Sequence, residues 1–543
     1  MPSNPNRAPT HLTIYSLRIT LFRLLILLLL ILTSACGYAK TPPAVFPTYN
    51  AFVPLDGNSP ANAAVNSESP PSSAPTHGPT PELAPLSITL APTPGPGQPL
   101  VTPTPDSPRQ LPTPRLDTDQ YVVQAGDTLG SIAQNYGVSV KALMDANGIY
   151  DANLLSVGEA LKIPPQDPGI IGTSFKLIPG SELVYGPASA IFDINEFLQA
   201  RAGYLANYTE EVNEELLPAD EIITLVAQNY SVNPRLLLAL VEYQSGWVTN
   251  PNPINKDYAI GLSDPYHNSF YLQLTWAANT LNRGYYLWRV NGISTWVMSD
   301  GSVVPVDPTI NAGTAAVQHF FSKLDDRATW EKDVSPQGFF LTYYVLFGNP
   351  FNLAVEPLLP LLLAQPQMEL PFEEGATWRF TGGPHGGWDS GSGWAALDFA
   401  PPGDELGCVT SGAWVTAVAD GLILRAENGA VIQDLDNDGY EQTGWVILYM
   451  HVETRDRVQA DTYLFAGERI GHPSCEGGLS TGTHVHIARK YNGEWIPADG
   501  PIPFNLGGWI SSGDGIEYDG FLTRGNQAVE ALEGLDQPNQ ITR

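Results

Sequence analysis

Positive charge is scarce in this chain: 26 Lys and Arg stand against 56 Asp and Glu, a formal net charge of -30 over 543 residues. A surface of that sign repels phosphate backbones and anionic headgroups, which argues against nucleic acid or anionic lipid as a charge-driven partner. Cysteine is scarcer still, with only Cys36, Cys408 and Cys475. None has a neighbour at metal-ligand spacing, so a thiolate metal site is excluded. An apolar run near the start, Leu24 to Leu32, falls short of the roughly 20 residues that span a bilayer. Histidine is also sparse, nine in all. The pair His484-Val485-His486 therefore stands out, because alternate residues of a strand face the same side. Proline and glycine, 49 and 51, are plentiful but unevenly spread, and the length implies several domains.

Arg7, Arg18 and Arg23 precede the apolar run, and Thr33-Ser34-Ala35-Cys36-Gly37 follows it. A basic region, a short hydrophobic core and small residues form an export signal over residues 1–36. Its end resembles a bacterial lipobox, although Thr33 stands where Leu is usual; the resemblance implies lipidation of Cys36, with an uncleaved anchor or plain secretion as alternatives. The rest of the chain is then expected outside the cytoplasm, held at the membrane through Cys36. Residues 37–118 are rich in Pro, Thr, Ser and Ala. Such a segment cannot bury a core and is expected to be an extended, disordered linker.

Residues 119–165 form a compact unit. Tyr121 to Gln124 reads as a strand, followed by a Gly-Asp turn. A helix capped by Asp127 or Thr128 then carries Leu129, Ile132, Ala133 and Tyr136 on one face. A second helix, Val140 to Asn147, and a strand, Ala160 to Ile163, complete it. The Val-x-x-Gly-Asp-Thr-Leu opening, Asn147-Gly148 and the final Leu-x-Ile-Pro resemble a LysM domain. That resemblance implies a βααβ fold binding N-acetylglucosamine-containing glycans such as peptidoglycan. Candidate contacts lie in the loops at Gly126, Asp127, Thr128, Asn153, Leu154 and Leu155.

From 182 to 365 the apolar period is 3.6, and Asn233-Pro234 reads as an N-cap followed by proline in the first turn. The run Leu236 to Trp247, with Ser245-Gly246, resembles the catalytic helix of lysozyme-like glycosidases. Gln244 occupies the position of their general acid. An amide cannot protonate a glycosidic oxygen, and Glu242 lies two residues, about 200°, around the helix. The expectation is a mainly α, lysozyme-like domain without glycosidase activity, the alternative being an unrelated helical domain.

From about residue 371 to 510 the pattern is all-β, with strands at Trp414 to Val418, Leu422 to Glu427, Trp445 to Val452 and His484 to Lys490, and a hairpin turn at Asn492-Gly493. Residues 511–543 read as a tail. Gly382-Gly383-Pro384-His385, the Asp398 segment, Tyr449-Met450-His451 and His484-Val485-His486 gather histidines and one carboxylate. Such a set suits zinc with an open position. The arrangement resembles M23 zinc endopeptidases, the lysostaphin and LytM-like group. The resemblance implies His385, Asp398 and His486 as zinc ligands, and His451 and His484 as the pair that handles protons and the developing oxyanion. Most members place the carboxylate four residues after the first histidine, here Asp389. A wider gap occurs in the staphylolysin and β-lytic branch, and Phe-Ala-Pro-Pro-Gly after Asp398 fits the family better. Asp398 is therefore taken, with Asp389 as the alternative.

With Cys36 lipidated, a disulfide between Cys408 and Cys475 closes the cysteine arithmetic, two free thiols being the alternative. Asp434, Asp436 and Asp438 match the first half of a Ca²⁺ loop, but the twelfth position is Trp445, so an acidic hairpin turn fits comparably. The expected function is a cell-wall-associated zinc metalloendopeptidase cutting peptide bonds of peptidoglycan, held on glycan by LysM. The alternative is a non-catalytic peptidoglycan-binding activator of cell-wall hydrolases.

Overall fold

The computed structural model describes residues 81–86, 88, 115–124, 127–151, 155–166, 169–403, 405–535 and 537–543. The export signal, Cys36, most of the linker, Gly126, Asn153 and Leu154 lie outside them. Among the described residues no helix is long and apolar enough to cross a membrane. One piece of the linker is ordered: Ala84 N–H donates to the Asn437 carbonyl at 2.7 Å and Asn437 Nδ2 to that of Glu82 at 3.0 Å.

The first unit is βααβ. Strand β1 (Asp119–Val122) pairs antiparallel with β2 (Ala160–Ile163) around helices α1 (Leu129–Asn135) and α2 (Val140–Asn147). Leu129, Ile132, Ala133, Leu143, Leu161 and Ile163 form its own small core. The cap of α1 is Thr128, not Asp127: Thr128 and Ser131 exchange N–H to hydroxyl bonds, each 3.0 Å. Asp127 instead accepts from the Tyr121 hydroxyl and the Gln124 N–H, both 2.7 Å. Asn147 joins the end of α2 to β2, donating to Lys162 O at 2.7 Å and accepting from Lys162 N at 2.6 Å. Leu155 is half-buried against this core. The described loop residues thus hold their own domain together.

The helical region contains α3 (Ile194–Arg201), α4 (Ala219–Tyr230), α5 (Pro234–Ser245), α6 (Phe270–Arg289), α7 (Ala312–Leu324), α8 (Arg327–Asp333) and α9 (Phe339–Phe347). Asn233 caps α5 through Arg235 N–H, with Pro234 in the first turn, as expected. Leu236 to Val241 are all buried, which an amphipathic surface helix would not tolerate; α5 is the central helix. Glu242 accepts from Val248 N–H and Thr249 N–H, both at 3.0 Å, and from the Thr249 hydroxyl at 2.5 Å. It fastens the end of the helix rather than facing a glycan.

The C-terminal region is built on one antiparallel sheet. Its strands are β3 (Thr377–His385), β4 (Ala396–Ala400), β5 (Gly421–Glu427), β6 (Ala430–Asp434), β7 (Trp445–Met450), β8 (Tyr463–Leu464), β9 (Val485–Tyr491) and β10 (Glu494–Trp495). A smaller sheet of β11 (Asn505–Leu506), β12 (Trp509–Ser512), β13 (Phe521–Arg524) and β14 (Gln527–Glu530) follows, and β15 (Gln540–Thr542) returns to the first. The order is β8-β5-β6-β7-β9-β4-β3-β15, with β10 on β9. Residues 511–543 are therefore no tail: they supply two strands of the small sheet and an edge strand paired to β3. Met368 and Leu370 are already buried in this core, so the unit begins before 371.

Both faces of the large sheet are covered. Leu397, Phe399, Ile447, Tyr449, Val485 and Ile487 point into the β-region's own core. Ala396, Ala430, Ile432, Val446, Leu448, Met450 and Ala488 point into the core formed with the helices. Polar bonds cross the same boundary: Arg289 to Glu494 at 2.8 Å, Arg425 to Asn229 at 3.0 Å, and Ser231 to the Gly493 carbonyl at 2.6 Å.

Candidate metal centre

The site forms where three neighbouring strands end. In register, His486 on β9 lies opposite Asp398 on β4 and Met450 on β7. Alternation turns His486 and Asp398 away from the β-region's own core while Ile487 and Leu397 point into it. Register shifts along β3 bring His385, the last residue of that strand, to the same point. His451 follows β7 directly with φ 65°, a left-handed backbone unusual for a non-glycine residue. His484 precedes β9 rather than belonging to it, held by an isolated bridge to Ser474. As alternation along an extended segment implies, both histidines reach the same Asp398 oxygen, His484 from the bridge residue directly before β9.

Three donor atoms converge. His385 Nε2 is 2.9 Å from His486 Nδ1 and 3.3 Å from Asp398 Oδ1, and His486 Nδ1 is 3.2 Å from Asp398 Oδ1. Donors about 2.0–2.1 Å from a tetrahedral zinc stand about 3.3 Å apart, so the triangle has the right edge. Asp398 Oδ1 is buried without a hydrogen-bond partner, a costly arrangement unless a cation meets it. The other ring nitrogens are occupied: His385 Nδ1 faces the Gly383 carbonyl at 2.7 Å and His486 Nε2 that of Gly387 at 3.1 Å. Such second contacts fix which nitrogen is left for a metal. These residues fit zinc.

His451 Nδ1 is bound to the Glu476 carbonyl at 2.8 Å and His484 Nδ1 to that of Gly482 at 2.7 Å. Both Nε2 atoms are thereby left as lone-pair acceptors, and that of His484 lies 3.7 Å from Asp398 Oδ1. Their rings are 4.5 Å apart, and His451 lies 6.2 Å from His486. Burial, and then His484 and His486, push the His451 imidazole well below its usual range. Burial alone would raise the Asp398 carboxyl, but His385 and His484 hold it well below the usual carboxylate range.

The cluster opens into a cleft of about 1480 Å³ lined entirely by residues 373–535. Tyr518, in the stretch expected as a tail, stacks on the His385 ring with centroids 4.2 Å apart. No motif marks it, and it lies in the turn between β12 and β13, outside any strand pattern. Asp389 does not join the cluster. It has φ 59° and accepts from the Tyr230 hydroxyl at 3.2 Å and from Ser390 N–H at 2.5 Å. Cys408 and Cys475 are disulfide-bonded at the rim. Asp434, Asp436 and Asp438 cluster, but Asp434 already accepts from the N–H groups of Asp436, Asn437 and Gly439, and Asp438 from Tyr440 N–H and the Thr443 hydroxyl. That is the hydrogen bonding of an acidic turn.

Residues 121–164 match the LysM domain family, and 176–360 match the family described as LasA, N-terminal domain. The helical region read above as lysozyme-like is thus similar to part of LasA. "Protease LasA" of Pseudomonas aeruginosa PAO1 is 26% identical over 348 residues, 60% of this chain and 77% of that protein. "Beta-lytic metalloendopeptidase" of Lysobacter enzymogenes is 28% identical over 154 residues, 28% of this chain and 83% of the relative. Among solved structures, the M23 metalloprotease pseudoalterin overlaps 33% of this chain and 100% of its own, at 22% identity and a TM-score of 0.26. By these similarities the chain resembles Protease LasA and beta-lytic metalloendopeptidase, and its residues 121–164 match the LysM domain family.

Proposed function

We propose that the chain is an exported zinc metalloendopeptidase that hydrolyses peptide bonds of peptidoglycan, with LysM holding it on the glycan and Cys36 anchoring it in the membrane by lipidation. The observation that carries this is the converging triangle of His385 Nε2, Asp398 Oδ1 and His486 Nδ1 around a carboxylate oxygen with no other partner. In this reading those three are the zinc ligands. Zinc held there supplies a Lewis acid for the scissile carbonyl and lowers the pKa of water toward 7.

The remaining steps belong to the protein. His451 is kept neutral by burial and by its neighbours, so its Nε2 can accept a proton from the attacking water. His484, on the same side, can donate from Nε2 to the oxyanion that develops on the carbonyl once that nitrogen carries a second proton. The proton that His451 takes from the water can then pass to the leaving amine as the C–N bond breaks. LysM adds no catalytic contact; it raises the local concentration of peptide stems around the cleft. Calcium is not part of this proposal.

Digestion of purified peptidoglycan is the test. New amino termini that vanish with a chelator and return with Zn²⁺ are expected. New reducing ends would indicate a glycosidase, and no release would leave only the binding protein.

A further inference from the structure

The two ligands His385 and Asp398 are joined by a loop whose Gly387 carbonyl faces Nε2 of the third, His486, at 3.1 Å. This loop is stiff internally. Ser392 Oγ accepts from Trp388 N–H and donates to the Asp389 carbonyl, both at 2.9 Å, and Gly387 N–H donates to Gly393 O at 3.0 Å. Gly387 is also pressed against Trp495, where an added Cβ would lie 2.5 Å from the indole.

What places this stiff unit is the helical layer. Asn279, on α6, accepts from Gly391 N–H at 2.7 Å and donates from Nδ2 to Ser390 Oγ at 3.3 Å. Tyr230, at the end of α4, donates to Asp389 Oδ2 at 3.2 Å, and the Tyr286 hydroxyl on α6 accepts from Trp495 N–H at 2.9 Å. Contact with α6 is so close that a Cβ on Gly391 would lie 2.1 Å from the Asn279 carbonyl oxygen. A rigid loop moves as a body, so a displacement at Asn279 reaches the Gly387 carbonyl.

We propose that Asn279 is a positioning residue for the metal centre: through the 386–393 loop, the helical layer sets the Gly387 carbonyl and hence the orientation of His486. This rests on the reading of His385, Asp398 and His486 as zinc ligands. It gives the helical region a role in the chemistry although none of its residues lines the cleft.

The test uses the full chain, with zinc affinity from chelator competition and the visible spectrum of the Co²⁺-substituted protein. Asn279→Ala is expected to weaken zinc about tenfold, the low end for loss of an outer-shell contact, and to change the Co²⁺ spectrum. Asn279→Asp keeps the acceptor for Gly391 N–H and should recover most of the affinity. Asn229→Ala removes a different bond across the same boundary, to Arg425; it should lower the melting temperature and leave zinc affinity alone. If Asn279→Ala behaves like Asn229→Ala, with affinity and spectrum unchanged, the proposal is overturned. Should Asn279→Ala not fold, Gly391→Ala displaces the loop from the other side and must weaken zinc in the same way, or the idea fails. A wild-type chain that takes up no zinc would sink the ligand reading together with this inference; zinc uptake without an effect of Asn279 sinks the positioning alone.

Discussion

At the scale of the residue, the histidines are sorted by which ring nitrogen is already occupied. His385 offers Nε2 and His486 offers Nδ1, each because the other nitrogen faces a backbone carbonyl. His451 and His484 offer Nε2 without adding to the triangle. His486→Ala is therefore expected to lose bound zinc and activity together, measured by metal analysis beside turnover. His484→Ala should keep zinc and lose about 10²–10⁴ in rate, the usual range for an acid/base group; loss of zinc there would contradict the division of labour. A second residue-level prediction concerns Asp436, an exposed residue of the acidic turn whose carboxyl is pushed up to about 8 by partial desolvation and by the neighbouring Asp434. The folded chain then holds a proton that the unfolded chain releases near pH 4. Stability from this group therefore falls as pH rises from about 4 to about 8. Asp436→Asn should flatten that part of the melting-temperature profile, and an unchanged slope would count against the shift. All five clustered residues could be picked out in the sequence, because rare histidines in glycine-rich or β-branched settings are conspicuous. The choice between Asp389 and Asp398 needed register: one sits opposite His486, whereas the other turns toward Tyr230.

At the scale of the element, β7 is the most informative strand. Trp445 to Met450 are all buried, a continuous apolar run rather than an alternating one, as expected for a strand covered on both faces. The sequence pattern marked a strand correctly but did not by itself say that helices would cover its second face. Leu448, buried against those helices, tests the point. Leu448→Ala should cost about 2–5 kcal/mol, in line with large-to-small core changes, read from urea denaturation of the full chain. A cost below 1 kcal/mol would mean that the helical layer is only loosely applied. The βααβ unit was the most legible part, since caps, turns and closing strand all lie within one short stretch. The strands after 510 were the least, being short, and the last of them, β15, pairs with β3 far away in sequence.

At the scale of the whole molecule, the helical region and the sheet share one apolar core, whereas LysM has its own. Calorimetry of the full chain should show LysM unfolding separately and the other two regions melting in one transition. Three resolved transitions would contradict the shared core. The Cys408–Cys475 bridge joins positions 67 residues apart, and closing such a loop stabilises by about 4 kcal/mol in the chain-entropy picture. It also joins the two segments that meet beside His484, where Thr483 N–H donates to the Gly407 carbonyl at 3.0 Å and Val409 N–H to Thr483 Oγ1 at 2.8 Å. Until those thiols are oxidised, the His484 side of the cleft is held by hydrogen bonds such as these and by Ser474, whose carbonyl accepts from His484 N–H at 3.3 Å and whose N–H donates to the His451 carbonyl at 2.7 Å. Maturation of the enzyme thus acquires a clock set by its surroundings: a chain kept under reducing conditions should bind zinc normally yet turn over slowly, and gain its rate as the bridge forms.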